Sequence, residues 1–277
     1  MVIGIVGLGL IGGSFAKALK ANTSHKILGF DISQKAILES KLYNAIDGDL
    51  TDKTISECDI IFIALYPEAT INFVRDNADK LKSSCIVVDC GGIKRQICHK
   101  CFEIAKKNGF TFIGGHPMAG RQYSGFKYAK DSLYKNAIMI LTPPSDIKLE
   151  QLAGLQKLLK EIGFANIQIT NANEHDRIIA FTSQLAHVVS NAYVKSPNAE
   201  VHKGFSAGSY KDLTRVARLN ENMWTELFLE NSDNLIFEID TLIENLKDYS
   251  DALKSKDSEK LKSLLKEGSD RKKQIDR

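Results

Sequence analysis

VIGIVGLGLIGGS, residues 2–14, is the stretch whose reading decides the fold. Val2 to Val6 is a short run of β-branched and apolar residues, the composition of a buried strand. Gly7, Gly9 and Gly12 follow in the spacing G-x-G-x-x-G, with Leu10 and Ile11 inside it, and Ile11 to Lys20 carries the apolar periodicity of a helix. Strand, tight turn and helix make the first half of a βαβ unit. The first glycine permits the turn, the second lets a pyrophosphate approach the backbone, and the third brings helix close to strand. The anion then rests on free N–H groups at the helix start.

The next apolar run, Ile27 to Phe30, ends at Asp31, nineteen positions after Gly12. A carboxylate there accepts hydrogen bonds from both ribose hydroxyls and repels a 2′-phosphate, and no Arg follows in the next few residues. NAD is therefore expected at Gly7, Gly9, Leu10, Ile11, Gly12 and Asp31, in preference to NADP. The motif alone leaves a flavin dinucleotide open.

Beyond this unit, strand-like runs recur at Ile60 to Leu65, Cys85 to Asp89, Phe110 to Ile113, Ala137 to Leu141 and Ala165 to Ile169. Helical patterns separate them at Ser33 to Tyr43, Glu68 to Leu81, Ile93 to Lys107 and from Asp146 or Lys148 to Ile162. This alternation predicts an α/β domain, a Rossmann-type doubly wound and mostly parallel sheet, over residues 1–170. From Asn173 the pattern is almost wholly helical, with long amphipathic stretches at Glu174 to Val194, Asn220 to Lys247 and Ser258 to Asp276. Residues 171–277 are accordingly expected to form an all-helical domain.

With 37 basic and 34 acidic side chains spread along the length, the net charge of +3 lacks the one-sided patch of a nucleic-acid binder. No window holds the roughly 18 to 20 apolar residues that span a bilayer, so no membrane partner is expected. No secretory leader precedes the first strand, and the five cysteines are an odd set without a disulfide framework; the expected setting is the cytoplasm. Cys98-His99-Lys100-Cys101 has no second pair to complete four ligands, and it reads as packing on an amphipathic helix with no metal. The length is expected to leave no room for an appended regulatory domain.

Ligands of open α/β sheets gather beyond the carboxyl ends of the strands. Gly114-Gly115-His116-Pro117-Met118-Ala119-Gly120 reads as one such loop. A neutral imidazole in it accepts a proton from a substrate hydroxyl as hydride leaves the same carbon. In the helical part, Asp176, Ala180, Ser183, His187 and Ser190 recur at three- and four-residue spacing, a polar stripe read equally as a cleft wall or an interhelical hydrogen-bond network. Lys211 to Arg218 follows a Gly and Ser segment and offers Arg215 as a bidentate carboxylate clamp, or as an exposed helix start.

Taken together, Gly7 to Gly12, Asp89-Cys90-Gly91-Gly92-Ile93-Lys94, His116 to Gly120, Glu174-His175-Asp176, Ser183 to His187 and Asp212-Leu213-Thr214-Arg215 with the following Trp224 resemble the prephenate and arogenate dehydrogenases of tyrosine biosynthesis. The resemblance spans nearly the whole chain. It implies oxidative decarboxylation of prephenate to 4-hydroxyphenylpyruvate with NAD, or the same chemistry on arogenate. A catalytically weakened NAD-binding regulatory protein is a further alternative. It also implies His116 as the base, Arg215 on a substrate carboxylate, His187 orienting the substrate, Trp224 beside the pocket, Gly92 and Lys94 near the nicotinamide, and a homodimer built by the helical domain.

Three positions depart from the family pattern. Gly92 stands where a serine commonly bonds the catalytic histidine, Gln122 where an acidic residue often follows, and Gln184 where a paired set has its first histidine. Water, Ser124 or Gln122 is the expected substitute for the missing serine contact, with Gln122 and Ser124 also on the substrate side.

Overall fold

The computed structural model describes residues 1–121 and 123–276. Eight strands form one sheet in the order β3-β2-β1-β4-β5-β6-β7-β8. They are β1 (Val2–Val6), β2 (Lys26–Phe30), β3 (Gly48–Asp49), β4 (Ile60–Ile63), β5 (Ile86–Asp89), β6 (Thr111–Pro117), β7 (Ile138–Thr142) and β8 (Asn166–Ile169). Every pairing is parallel except β6 with β7, where Gly115 faces Leu141 and His116 faces Ile140. The order reverses beside β1, which pairs with β2 on one side and β4 on the other, and so opens a crevice at their carboxyl ends.

Side-chain alternation produces two cores, one on each face. Ile3, Ile5, Phe62 and Val88 point to the side of α1 (Leu10–Asn22) and α5 (Leu149–Glu161), where Phe15 stacks on Phe62 with centroids 4.6 Å apart. Val6, Ile61, Ile63 and Val87 point to the side of α3 (Pro67–Asn77) and α4 (Arg95–Asn108) and meet Ile71, Val74, Ile97 and Cys101. Strands buried on both faces read as continuous apolar runs, which is why they were visible in the sequence. The two-residue β3 carries no such signal. α2 (Gln34–Leu42) begins at its expected cap, with the Ala36 N–H donating to Ser33 Oγ.

After β8 the chain is helical: α6 (Ala172–Ile179), a π-helical turn (Ala180–Leu185), α7 (Ala186–Tyr193), α8 (Gly208–Thr214), α9 (Glu221–Glu230), α10 (Ser232–Lys254) and α11 (Ser258–Ile275). The expected single helix from Asn220 is split at Asn231. That side chain is 0% exposed and fully engaged: Nδ2 donates to the Asp176 carbonyl and to Gln184 Oε1, while Oδ1 accepts from Arg95 and Asn234. Among the described residues no helix is long and apolar enough to cross a membrane.

Candidate active site

The glycine turn has the geometry a dinucleotide requires. Gly7 has φ +87, and a Cβ there would lie 2.5 Å from the Ala64 carbonyl oxygen; a Cβ on Gly12 would lie 1.9 Å from that of Gly7. A Cβ on Gly9 would meet nothing within 4 Å, so that side of the loop is open to a ligand. α1 starts without a side-chain cap or an acidic residue in its first turn, leaving its positive end for an anion. Asp31 ties the loop to β2, with Oδ2 accepting the Leu8 N–H at 2.7 Å and Oδ1 the Ser33 N–H at 2.7 Å. Beside it opens a cleft of about 530 Å³, lined by Phe30, Thr51, Phe73 and Asn77 among others. Turn, helix end, carboxylate and cleft fit NAD.

His116 departs from expectation in its setting: it belongs to the end of β6, not to a free loop. The cause is the glycine pair before it. A Cβ on Gly114 would lie 2.0 Å from Thr142 Oγ1 and one on Gly115 2.4 Å from the Asp89 carbonyl oxygen, so only glycines let β6 close against β7 and β5 here. The half-buried His116 ring is engaged through Nδ1, 2.9 Å from His175 Nε2, and the two rings meet edge to face at 61°. Burial, then His175 and the Lys94 ammonium, hold His116 well below the ordinary histidine pKa, in its neutral form.

His175 and Asp176, adjacent on α6, are both buried. His175 Nδ1 lies 2.7 Å from Asp176 Oδ1, which also accepts the Lys94 N–H at 2.7 Å, while Oδ2 accepts the Arg95 N–H at 2.8 Å. Asp176 thus caps α4 across the boundary between sheet and helices. Glu226 does the same for α3, its Oε1 accepting the Glu68 N–H at 2.9 Å.

Lys94 lies at the start of α4. Its side chain is 0% exposed and its ammonium donates to Asp89 Oδ2, because a lysine at this depth needs a counter-charge. A Cβ on Gly92 would meet only Leu227, at 3.7 Å, so there is room for a side chain there. Ser124 is exposed, and the side chain that meets the His116 ring is His175. Gln122 lies outside the described residues.

The polar stripe is interrupted as well. The π-helical turn shifts the register by one, so Gln184 turns inward and donates to the Leu227 carbonyl at 2.9 Å. Gln184 therefore holds the helices together. His187 Nδ1 donates to the Ser183 carbonyl at 2.8 Å, and its ring lies 4.1 Å from that of Trp224 in the same chain. Burial first, and then the Arg215 charge, lower the His187 pKa. Arg215, at the end of α8, is exposed on this side of the helical region. Cys98 and Cys101 are buried on α4, with Cys98 Sγ 3.2 Å from Thr142 Oγ1 and its thiol pushed up to about 12 by burial.

Sequence reasoning gave no role to His175, one residue off the stripe though within the Glu174-His175-Asp176 segment, and missed Asn231. Only the packing in three dimensions singles them out, His175 on the buried face of α6 and Asn231 at the junction of α9 and α10.

Residues 15–168 match the family described as prephenate dehydrogenase, nucleotide-binding domain, and residues 171–267 match prephenate dehydrogenase, dimerization domain. The prephenate dehydrogenase of Bacillus subtilis is 30% identical over 276 residues, covering 96% of this chain and 74% of the relative. That of Lactococcus lactis is 32% identical over 278 residues, covering 95% and 74%. The Aquifex aeolicus prephenate dehydrogenase, solved with hydroxyphenyl propionate and NAD+, superposes with a TM-score of 0.86 at 27% identity, covering 99% of this chain and 98% of that one.

Proposed function

The chain belongs to the prephenate dehydrogenase family, and on that premise we propose that it converts prephenate to 4-hydroxyphenylpyruvate, with NAD as hydride acceptor. The observation that carries the reading is His116, a neutral imidazole at the carboxyl edge of a sheet whose first turn fits NAD. Held by the Gly7–Gly12 turn and Asp31, NAD would supply the acceptor for the hydride of the ring carbinol carbon. His116 accepts the hydroxyl proton as the C–O bond becomes a carbonyl. The C–C bond to the ring carboxylate then breaks, carbon dioxide leaves, and the bonding pair enters the ring to form a phenolate. His116 returns its proton to the phenolate oxygen. One prephenate and one NAD+ thus yield one 4-hydroxyphenylpyruvate, one carbon dioxide and one NADH, with no net proton released. Aromatisation drives the sequence forward.

In this reading residues 1–170 hold the cofactor and residues 171–277 hold substrate and partner subunit. Arg215 binds a substrate carboxylate, His187 offers its free Nε2 to the substrate, and Trp224 backs the His187 ring. Gln122 and Ser124 serve as polar groups on the substrate side. The two curated relatives described above both carry the name of the prephenate enzyme, and the arogenate alternative is not favoured. The free cysteines accord with a cytoplasmic enzyme.

A homodimer through the helical region is supported by an apolar stripe on α10. Ile236, Ile243, Leu246 and Leu253 recur at seven-residue and three-residue spacing and are each more than half exposed.

The deciding experiment measures NADH formation by the purified chain with NAD and prephenate, and separately with arogenate. Turnover of prephenate in preference to arogenate is expected. Inactivity on prephenate, or a higher kcat/KM on arogenate, overturns the assignment.

A further inference from the structure

Gly92 supplies no side chain to His116, so its orientation has to come from elsewhere, and the polar neighbours of its ring narrow the choice to one. The His116 Nδ1 to His175 Nε2 contact (2.9 Å) and the His175 Nδ1 to Asp176 Oδ1 contact (2.7 Å) form one chain of three side chains. Proton placement along it follows from the last member. Asp176 receives the Lys94 and Arg95 backbone N–H groups, so it sits there as an acceptor, and His175 Nδ1 must be the donor. With His175 neutral, its Nε2 is a lone pair. His116 Nδ1 then carries the hydrogen of the next bond, and His116 Nε2 is left as the lone pair. That nitrogen is the one able to take a hydroxyl proton.

We infer that His175, held by Asp176, is a positioning residue that locks His116 as the Nδ1–H tautomer and aims its Nε2 at the substrate. The inference rests on the reading of His116 as the base. The opposite tautomer of His175 sets a lone pair against a carboxylate, and a doubly protonated His175 turns an N–H against His116 Nδ1. Both are disfavoured where the His175 side chain is fully buried and Lys94 adds positive charge nearby. The charged groups around the pair are Asp89 and Lys94 at the end of β5 and start of α4, Arg95 on α4, and Glu230 on α9. Adjacency on α6 supplies both members from one rigid element. The third-group logic of an acid-oriented histidine base is thereby met across two domains.

Two measurements test this. Nitrogen-15 NMR of labelled wild-type protein reads the tautomer directly and needs no activity: His116 is expected neutral with hydrogen on Nδ1, and a spectrum with hydrogen on Nε2 overturns the inference. Kinetics supply the second. His175→Ala is expected to lower kcat about 10²-fold or more, in line with loss of a positioned general base, with NAD affinity unchanged. His175→Gln, whose amide oxygen can accept the Nδ1–H, is expected to recover at least tenfold of that loss, and Asp176→Asn to move His116 toward the Nε2–H form. A His175→Ala enzyme with wild-type kcat and an unmoved acid limb in kcat/KM refutes the role. Wild-type inactivity on prephenate together with the expected NMR tautomer removes the functional reading and leaves the positioning chain intact.

Discussion

The side chains of Lys94 and Asp89 form an ion pair that solvent does not reach, each 0% exposed. Asp89 also accepts the N–H groups of Gly91 and Gly115, so the pair pins β5, the start of α4 and the strand that carries His116. Lys94→Met leaves the carboxylate buried without a counter-charge and is expected to destabilise the fold by about 3–5 kcal/mol in urea unfolding. Combining it with Asp89→Asn should recover much of that loss, since both charges then go. NAD affinity of the folded Lys94→Met protein is expected to stay within about twofold of wild type, because the ammonium faces Asp89; a loss above tenfold restores a cofactor contact.

Gly9 and Gly12 separate binding from folding. A methyl on Gly9 meets no protein atom within 4 Å, whereas one on Gly12 runs into the Gly7 carbonyl oxygen. Gly9→Ala is expected to leave stability within about 1 kcal/mol and to weaken NAD, measured calorimetrically, by roughly tenfold or more. Gly12→Ala should cost about 1–3 kcal/mol of stability or more, through strain where helix meets strand. Equal and small effects of both on NAD affinity count against the loop as the pyrophosphate site.

The burial that lowers the pKa of His116 and His175 has two consequences with the same sign. Catalysis needs neutral His116, so kcat/KM should hold level through neutral pH and fall only at an acid limb below about 6.5, the ordinary histidine value. Stability follows by linkage. Above about 6.5 both states are neutral and nothing is lost; as pH falls below it the unfolded chain binds protons that the folded state refuses, and Tm drops toward the lowered pKa values. A pH profile with its acid limb above 7, or a Tm that rises on acidification through this range, contradicts the picture.

Most of the sheet was legible because strands buried on both faces leave unbroken apolar runs, and because the glycine spacing has a single structural use between strand and helix. The site was legible in part. His116, His187 and Arg215 stand in motifs, but whether His116 lies in a loop or a strand depends on Thr142 and Asp89, which lie remote in sequence and press on Gly114 and Gly115. Likewise, periodic reading of the polar stripe assumes 3.6 residues per turn, and the π-helical turn at Ala180–Leu185 breaks that assumption. The burial of His175 has no signal in the sequence, since it follows from the docking of α6 on α4 through Asp176.

Arg215 is exposed in the single chain, so its hold on a carboxylate is partly screened. Arg215→Ala is expected to raise the KM for prephenate by an amount worth about 1.5–3 kcal/mol, as for a hydrogen bond to a charged group, with NAD affinity unchanged. Weakening of NAD to the same degree in binding measurements assigns the residue to structure instead.

The stripe on α10 makes the subunit interface testable by the same reasoning that found it. Ile236, Ile243, Leu246 and Leu253 are 56%, 56%, 59% and 62% exposed and lie along one side of a helix of 23 residues. A single chain gains nothing by presenting such a row to water, whereas pairing removes it from water at about 25 cal/mol per Å² of apolar surface. Ile243→Glu with Leu246→Glu places two charges where that surface closes and is expected to convert a dimer to a monomer in sedimentation equilibrium at micromolar concentration. The NAD site of the monomer draws on residues 1–170, so its NAD affinity should persist while kcat/KM for prephenate falls if the helices need their partner to hold Arg215 and His187 in place. A wild-type chain that sediments as a monomer removes the dimer from the proposal.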